Sequence, residues 1–215
     1  MSGGTHTRFD AVIVGAGPAG SAAAILLARA GWVVALIERQ RFPRRKVCGE
    51  CLAASNLALL DVMGIAVDFE AEAGPELRRV TLMLREDEVT ADLPVNDHPR
   101  HRWGRALGRE RLDTLLLEQA RAAGAHILQP WSVHQVVQGV AGTWQCEVRS
   151  LESATVLHLN TAVLIDAHGS WEDLPVQRSS RRLARSAADL FAFKANFTGS
   201  LLDDGTISVL ALDGG

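Results

Sequence analysis

Phe9-Asp-Ala-Val-Ile-Val-Gly15-Ala-Gly17-Pro-Ala19-Gly20-Ser-Ala-Ala-Ala-Ile-Leu-Leu-Ala-Arg-Ala-Gly31-Trp-Val-Val-Ala-Leu-Ile-Glu38 is the stretch whose reading decides the fold. A short apolar run, Phe9–Val14, ends in a glycine-rich turn. Strong helix formers fill Ser21–Ala30, and Gly31 stands where a helix C-cap glycine would. The β-branched run Trp32–Ile37 ends at an acid. Strand, glycine turn, helix, strand, acid is a βαβ unit on a parallel, fully buried sheet. Gly15 permits a tight turn, Gly17 lets the backbone approach a pyrophosphate, and Gly20 allows close packing of helix on strand. Ala19 lies in the same turn. A diphosphate would sit at the helix N-terminus, where unpaired N–H groups and the helix dipole favour an anion. Glu38 follows Gly20 by eighteen residues, the place for a carboxylate that accepts from an adenosine ribose. The pattern suits either NAD or FAD.

Composition narrows the class. Of 215 residues, 47% are hydrophobic and 22% charged, and the net charge is −3. Nucleic acid is not an expected partner, because a phosphate backbone demands a basic face. Three cysteines, Cys48, Cys51 and Cys146, argue against a disulfide scaffold and for a reducing compartment. Met1–Arg8 does not resemble a signal peptide. The apolar runs Ser21–Ala28 and Trp32–Ile37 are too short to span a bilayer. The expected location is the cytoplasm.

Arg39–Lys46 reads as a basic loop, and a helix is expected over about 50–63, stopped by Gly64. Residues 75–99 look β-like. Arg109–Ala123 predicts an amphipathic helix with Leu112, Leu115, Leu116, Gln119 and Ala123 on one face. Strands are expected near 125–131, 132–139, 143–149, 155–159 and 162–165, and later near 190–198 and 206–212. Residues 177–185 read as a polar linker.

At Arg39-x-x-Phe42-Pro43-Arg44-x-Lys46-x-Cys48-Gly49-Glu50-x-Leu52 the sequence resembles the FAD-dependent oxidoreductases with the p-hydroxybenzoate hydroxylase fold, above all their geranylgeranyl reductase and flavin halogenase branches. The resemblance continues at Arg109-x-x-Leu112-Asp113-x-x-Leu116 and at Val163-Leu-Ile-Asp166-Ala-His-Gly169-Ser170, so it covers residues 9–170. It implies a Rossmann-like, three-layer (ββα) FAD-binding domain with an inserted, incomplete β-rich substrate domain. The FAD-binding part would comprise 1–75 and 100–175, and the substrate part 76–99 and 176–215. It also implies roles for residues. Glu38 and Arg39 would lie at the adenosine end of FAD, and Cys48 and Gly49 close to the isoalloxazine ring. Arg109 would contact the cofactor, the backbone of Val133 would pair with adenine, and Asp166 and Gly169 would lie near the pyrophosphate. His168 stands where the family often has an acid. The family's Gly-Asp segment has no counterpart in the sequence, so the chain is expected to be a fragment of a protein about twice this long.

The implied activity is that of an FAD-dependent oxidoreductase, either a monooxygenase or a double-bond reductase. Its substrate would be a small or apolar organic molecule, and NAD(P)H its electron source. Two other readings stay open. One is a truncated FAD-binding module without activity. The other is a dithiol flavoprotein using Cys48 and Cys51, which form a CxxC. The favoured reading has Cys48 lining the flavin pocket and Cys51 packed as a small apolar residue. No second ligand pair supports a metal site. The basic run Arg41–Lys46 could reach a phosphate or form a solvated loop. His98, Arg100, His101 and Arg102 read as an exposed loop, with a substrate role as the alternative, and Trp103, Trp131, Trp144 and Trp171 as core or edge aromatics.

Overall fold

The computed structural model describes residues 6–169, 174–175, 192–199 and 201–212. In chain order the elements are β1 (His6–Val14), α1 (Pro18–Arg29), β2 (Val34–Ile37), β3 (Cys51–Leu52), α2 (Ala54–Met63), α3 (Ala66–Glu72), β4 (Arg79–Leu84) and β5 (Asp87–Asp92). They continue with β6 (Arg105–Ala106), α4 (Arg109–Ala122), β7 (His126–Leu128), β8 (Trp131–Gln138), β9 (Trp144–Ser150), β10 (Val156–Asp166) and β11 (Thr206–Ala211). The chain forms two compact units. One is Met1–Arg45 with Glu110–Leu190, the other Lys46–Arg109 with Phe191–Gly215. Residues 46–75 and 100–109, grouped by sequence with the nucleotide-binding part, cluster with the strands at 79–92.

The first unit is built on a sheet of order β7-β2-β1-β10-β9-β8. The pairs β7–β2, β2–β1 and β1–β10 are parallel, while β10–β9 and β9–β8 are antiparallel. Side chains alternate across the pleat, so each buried strand serves two faces. On one face Val12, Ala35 and Ile37 pack with Val136, Cys146 and Val148 of the antiparallel strands, with Phe9 and Leu159 completing the cluster. The other face presents Ala11, Ile13, Val34 and Leu36, all with no exposed surface. This is the ββα layering implied by the resemblance. From Ala11 onward β1 is apolar, as β2 is throughout, because neither face of the sheet meets water there.

The helices stop where chemistry dictates. Gly31 takes φ +86 after α1, and its N–H and that of Trp32 return to the carbonyls of Ala28 and Leu27. Gly64 adopts the left-handed conformation at the end of α2. The buried residues of α4 are Leu112, Asp113, Leu115, Leu116, Leu117 and Ala120. The expected face was therefore placed too far round the helix: Gln119 and Ala123 are only partly buried.

In the second unit β11, β4 and β5 form one sheet, with β11 parallel to β4 and β5 antiparallel to it. A short antiparallel ribbon joins β3 to β6, and α2 and α3 lie in the same unit. The helix expected over 50–63 is thus shorter, and α3 went unread. No described helix is long and apolar enough to cross a membrane.

Two strand expectations fail. Residues 192–199 form no strand. The strands expected at 155–159 and 162–165 are one strand of eleven residues, β10. Its middle residue Thr161 is 2% exposed. The Thr161 hydroxyl lies 2.9 Å from the carbonyl oxygens of both Asp10 and Val163, so a polar residue continues the ladder instead of breaking it. The linker expected at 177–185 and Trp171 lie outside the described residues. Thr161→Val should lower the unfolding free energy by about 1–2 kcal/mol, because it removes the part-buried hydrogen bond of the hydroxyl at unchanged side-chain volume. Urea denaturation measures this, and an unchanged midpoint would show the hydroxyl to be dispensable.

Candidate cofactor site

The turn after β1 packs directly on the end of β10. Gly15 takes φ +98 and its N–H donates to the Ile37 carbonyl at 2.8 Å. A Cβ on Gly15 would lie 2.5 Å from the Ala167 carbonyl oxygen, and one on Gly20 only 1.8 Å from the Gly15 carbonyl oxygen. Neither neighbour is a side chain that could swing away. Gly17 is the N-cap of α1 and Pro18 its first residue. No side chain caps this helix and no acid stands in its first turn. The N–H groups of Gly17, Ala19 and Gly20 thus face an anion-favouring helix end that the chain does not neutralise.

Glu38, 5% exposed, is fixed behind this turn. Its Oε2 accepts from the Ala16 amide at 2.9 Å and its Oε1 from the Gln40 amide at 2.8 Å. Arg44 joins it, with Nη2 3.4 Å from Glu38 Oε2 and 3.5 Å from Asp113 Oδ2. Asp113 has no exposed surface, and Arg44 lies over the Phe42 ring at 4.7 Å. Arg44 therefore does not dangle in solvent. It neutralises two buried carboxylates, one on the strand end and one on α4. Asp113 could have been suspected from the sequence, as a carboxylate inside the apolar stripe of a helix. The role of Arg44 had no local signal, because Arg39, Arg41, Arg44 and Arg45 look alike in sequence. Arg41 is exposed and pairs with Glu152, and Arg39 is exposed.

The other expected residues fall as follows. Val14 and Asp166 are register partners at the ends of β1 and β10, and the Ala167 amide donates to the Val14 carbonyl at 2.8 Å. The Asp166 carboxylate bonds Nδ1 of His168, and Gly169 takes φ +98. Val133 lies on β8 beside an irregularity in its pairing with β9, and its side chain packs on the core cluster. Gly15, Gly17, Ala19, Gly20, Glu38 and Asp166 thus converge on one end of the parallel strands. The cradle that a Cβ would fill, the uncapped helix end and the pinned carboxylate fit the nucleotide half of a dinucleotide.

Cys48, Gly49 and Arg109 belong to the second unit. They are organised around Glu50, which adopts φ 61, a costly conformation for a residue with a Cβ. Its carbonyl accepts from the Leu107 amide at 3.1 Å, and its carboxylate accepts from the Arg109 amide at 3.0 Å and pairs with Lys194. Burial opposes ionisation of Glu50, but the Lys194 bond and the Arg109 amide outweigh it and hold the carboxyl below its ordinary range. Cys48 is half-buried and accepts from the Glu50 amide at 3.4 Å. Cys51 is exposed, not packed as an apolar residue as expected. Burial of its sulfur, Cys48 and Glu50 together raise its thiol pKa, which disfavours the thiolate a dithiol reaction needs. No metal-binding cluster occurs among the described residues.

Arg44→Met should destabilise the protein by about 3–5 kcal/mol, because it leaves two buried carboxylates without their cation. Thermal unfolding measures this, and a loss under about 1 kcal/mol would mean the pairs are solvent-screened. The depressed Glu50 pKa gives a second expectation. Its stabilisation is fully present above the ordinary value of 4.5 and is lost as pH falls through the lower folded value. The stability gap between wild type and Glu50→Gln should hold steady at neutral pH and close in acid, and a gap independent of pH would contradict this.

Comparison with known proteins agrees with this geometry. A probable electron transfer flavoprotein-quinone oxidoreductase of Escherichia coli (strain K12) is 37% identical over 134 residues, 61% of this chain and 31% of that protein. The menaquinone reductase of Mycobacterium tuberculosis (strain H37Rv) is 37% identical over 121 residues, 55% of this chain and 28% of that protein. The chain spans less than a third of the length of these relatives. Among solved structures, a myxobacterial chondrochloren halogenase superposes with a TM-score of 0.68 at 24% identity, covering 79% of this chain and 39% of its own. The anhydrotetracycline hydroxylase OxyS of Streptomyces rimosus gives 0.63 at 28% identity, covering 76% and 32%. The model of a family described as an FAD binding domain matches residues 8–182, and with its glycine cradle and pinned carboxylate the chain belongs to that family.

Proposed function

We propose that this chain is the nucleotide-binding part of an FAD-dependent oxidoreductase that reduces a small, apolar organic substrate of the quinone type. The observation that carries the reading is the Gly15–Gly20 turn, whose backbone leaves no room for a Cβ while its helix end stays uncapped. Gly15, Gly17, Ala19 and Gly20 hold the diphosphate. Glu38 and Arg39 lie toward the adenosine, the Val133 backbone toward adenine, and Asp166 and Gly169 toward the pyrophosphate. Cys48, Gly49 and Arg109 are assigned to the flavin. Bound FAD supplies two-electron chemistry, taking a hydride and passing electrons on. The protein positions the cofactor and excludes water.

NAD(P)H is the proposed electron source. The named activities of the curated relatives, quinone oxidoreductase and menaquinone reductase, support a reductase acting on a quinone. The likeness to OxyS, a hydroxylase, supports the second reading, a monooxygenase. All three cysteines are free thiols, which supports a place in the reducing cytoplasm. Residues 1–75 with 100–175 are assigned to FAD binding, and 76–99 with 176–215 to the substrate.

Mixing the folded 215-residue chain with FAD should give a bound flavin spectrum that survives gel filtration. Glu38→Gln should weaken uptake by about tenfold, the loss of roughly one charge-assisted hydrogen bond. A folded chain that leaves excess FAD free, or one that retains NADH in its place, sinks the proposal.

A further inference from the structure

Asp113 is a carboxylate at a position where the stripe of α4 asks for an apolar side chain. It lies on the buried side of the helix with Leu112, Leu116 and Leu117, and none of its surface is exposed. Packing alone does not explain it, because an apolar residue of similar volume would fill the same place without the cost of burying a charge.

Its relation to Arg44 does. Asp113, Arg44 and Glu38 all belong to the first unit. A single nitrogen of Arg44, Nη2, stands 3.5 Å from Asp113 Oδ2 and 3.4 Å from Glu38 Oε2. Both distances exceed the roughly 2.7–2.9 Å of a charge-assisted hydrogen bond. The Arg44 Nε is buried and has no hydrogen-bond partner among the described residues. A guanidinium given one carboxylate closes on it with two parallel bonds. Here it is held between two and closes on neither. Glu38 meanwhile takes one backbone bond on each oxygen, from the amides of Ala16 at 2.9 Å and Gln40 at 2.8 Å. A carboxylate offers about four lone-pair sites. The amides use two, and Arg44 at its distance saturates neither of the others.

We propose that Asp113 is a positioning residue for the nucleotide: by holding Arg44 off Glu38, it keeps the Glu38 carboxylate open to the hydroxyl donors of an adenosine ribose. The inference rests on the cofactor reading above and adds to it a residue that acts through Arg44, not on the nucleotide itself. Without the Asp113 charge, Arg44 closes on Glu38 as a two-bond fork and fills its remaining lone pairs. A ribose hydroxyl must then displace a charged donor to reach the carboxylate, and its contribution to binding is lost. The diphosphate half of the site, built from the Gly15–Gly20 turn, does not depend on this sharing.

Flavin fluorescence titration of the full 215-residue chain tests it, with FAD and with an FAD analogue whose adenosine ribose lacks both free hydroxyls. The wild type should bind the analogue about tenfold more weakly, the loss of roughly one charge-assisted hydrogen bond. Asp113→Asn should weaken FAD by about the same factor and leave the analogue unchanged, so that the two ligands become equal. A merely structural role for Asp113 would weaken both ligands alike. Asp113→Ser, which also removes the charge and needs less room, serves where Asp113→Asn does not fold. Equal wild-type affinities for the two ligands, or a preference for FAD that survives loss of the Asp113 charge, overturns this inference and leaves the cofactor reading standing. A wild type that takes up neither ligand overturns both.

Discussion

The first unit depends on backbone atoms approaching one another where no side chain can intervene. The Gly15 carbonyl lies where a Cβ of Gly20 would go, and the Ala167 carbonyl where a Cβ of Gly15 would go. These two contacts bring α1, β1 and β10 together at one end of the sheet. That closeness puts the Ala16 amide within reach of Glu38 and leaves the first turn of α1 facing outward, uncapped. The open helix end is thus a by-product of packing. Once the turn is this tight, the helix end has nowhere else to point.

The tight turn brings an electrostatic demand with it. Glu38 must be buried to hold Ala16, and Asp113 is buried on α4. Two carboxylates out of water need a cation, and Arg44 lies between them at 3.4 and 3.5 Å. A lysine would place a point charge there, whereas the planar guanidinium can address both partners and still lie over Phe42. The basic loop after β2 therefore folds inward at one residue while its neighbours Arg39, Arg41 and Arg45 remain exposed.

The βαβ unit and its glycine chemistry were legible because periodicity, helix propensity and turn residues all agree there. The same is true of Gly31 and Gly64, which end helices in the conformations their sequence positions imply. What was not legible depended on pairing at a distance. Thr161 reads as a polar interruption between two apolar runs, yet its hydroxyl meets the Asp10 carbonyl across 151 positions of sequence. Arg44 could not be told from Arg41 until Asp113 was in place. Glu50 was visible as part of a motif, but the bonds from Arg109 and Lys194 that hold it in a left-handed conformation come from 59 and 144 positions away. His101 shows the same limit: its polar neighbours suggest an exposed loop, and only the fold buries it beside Asp61.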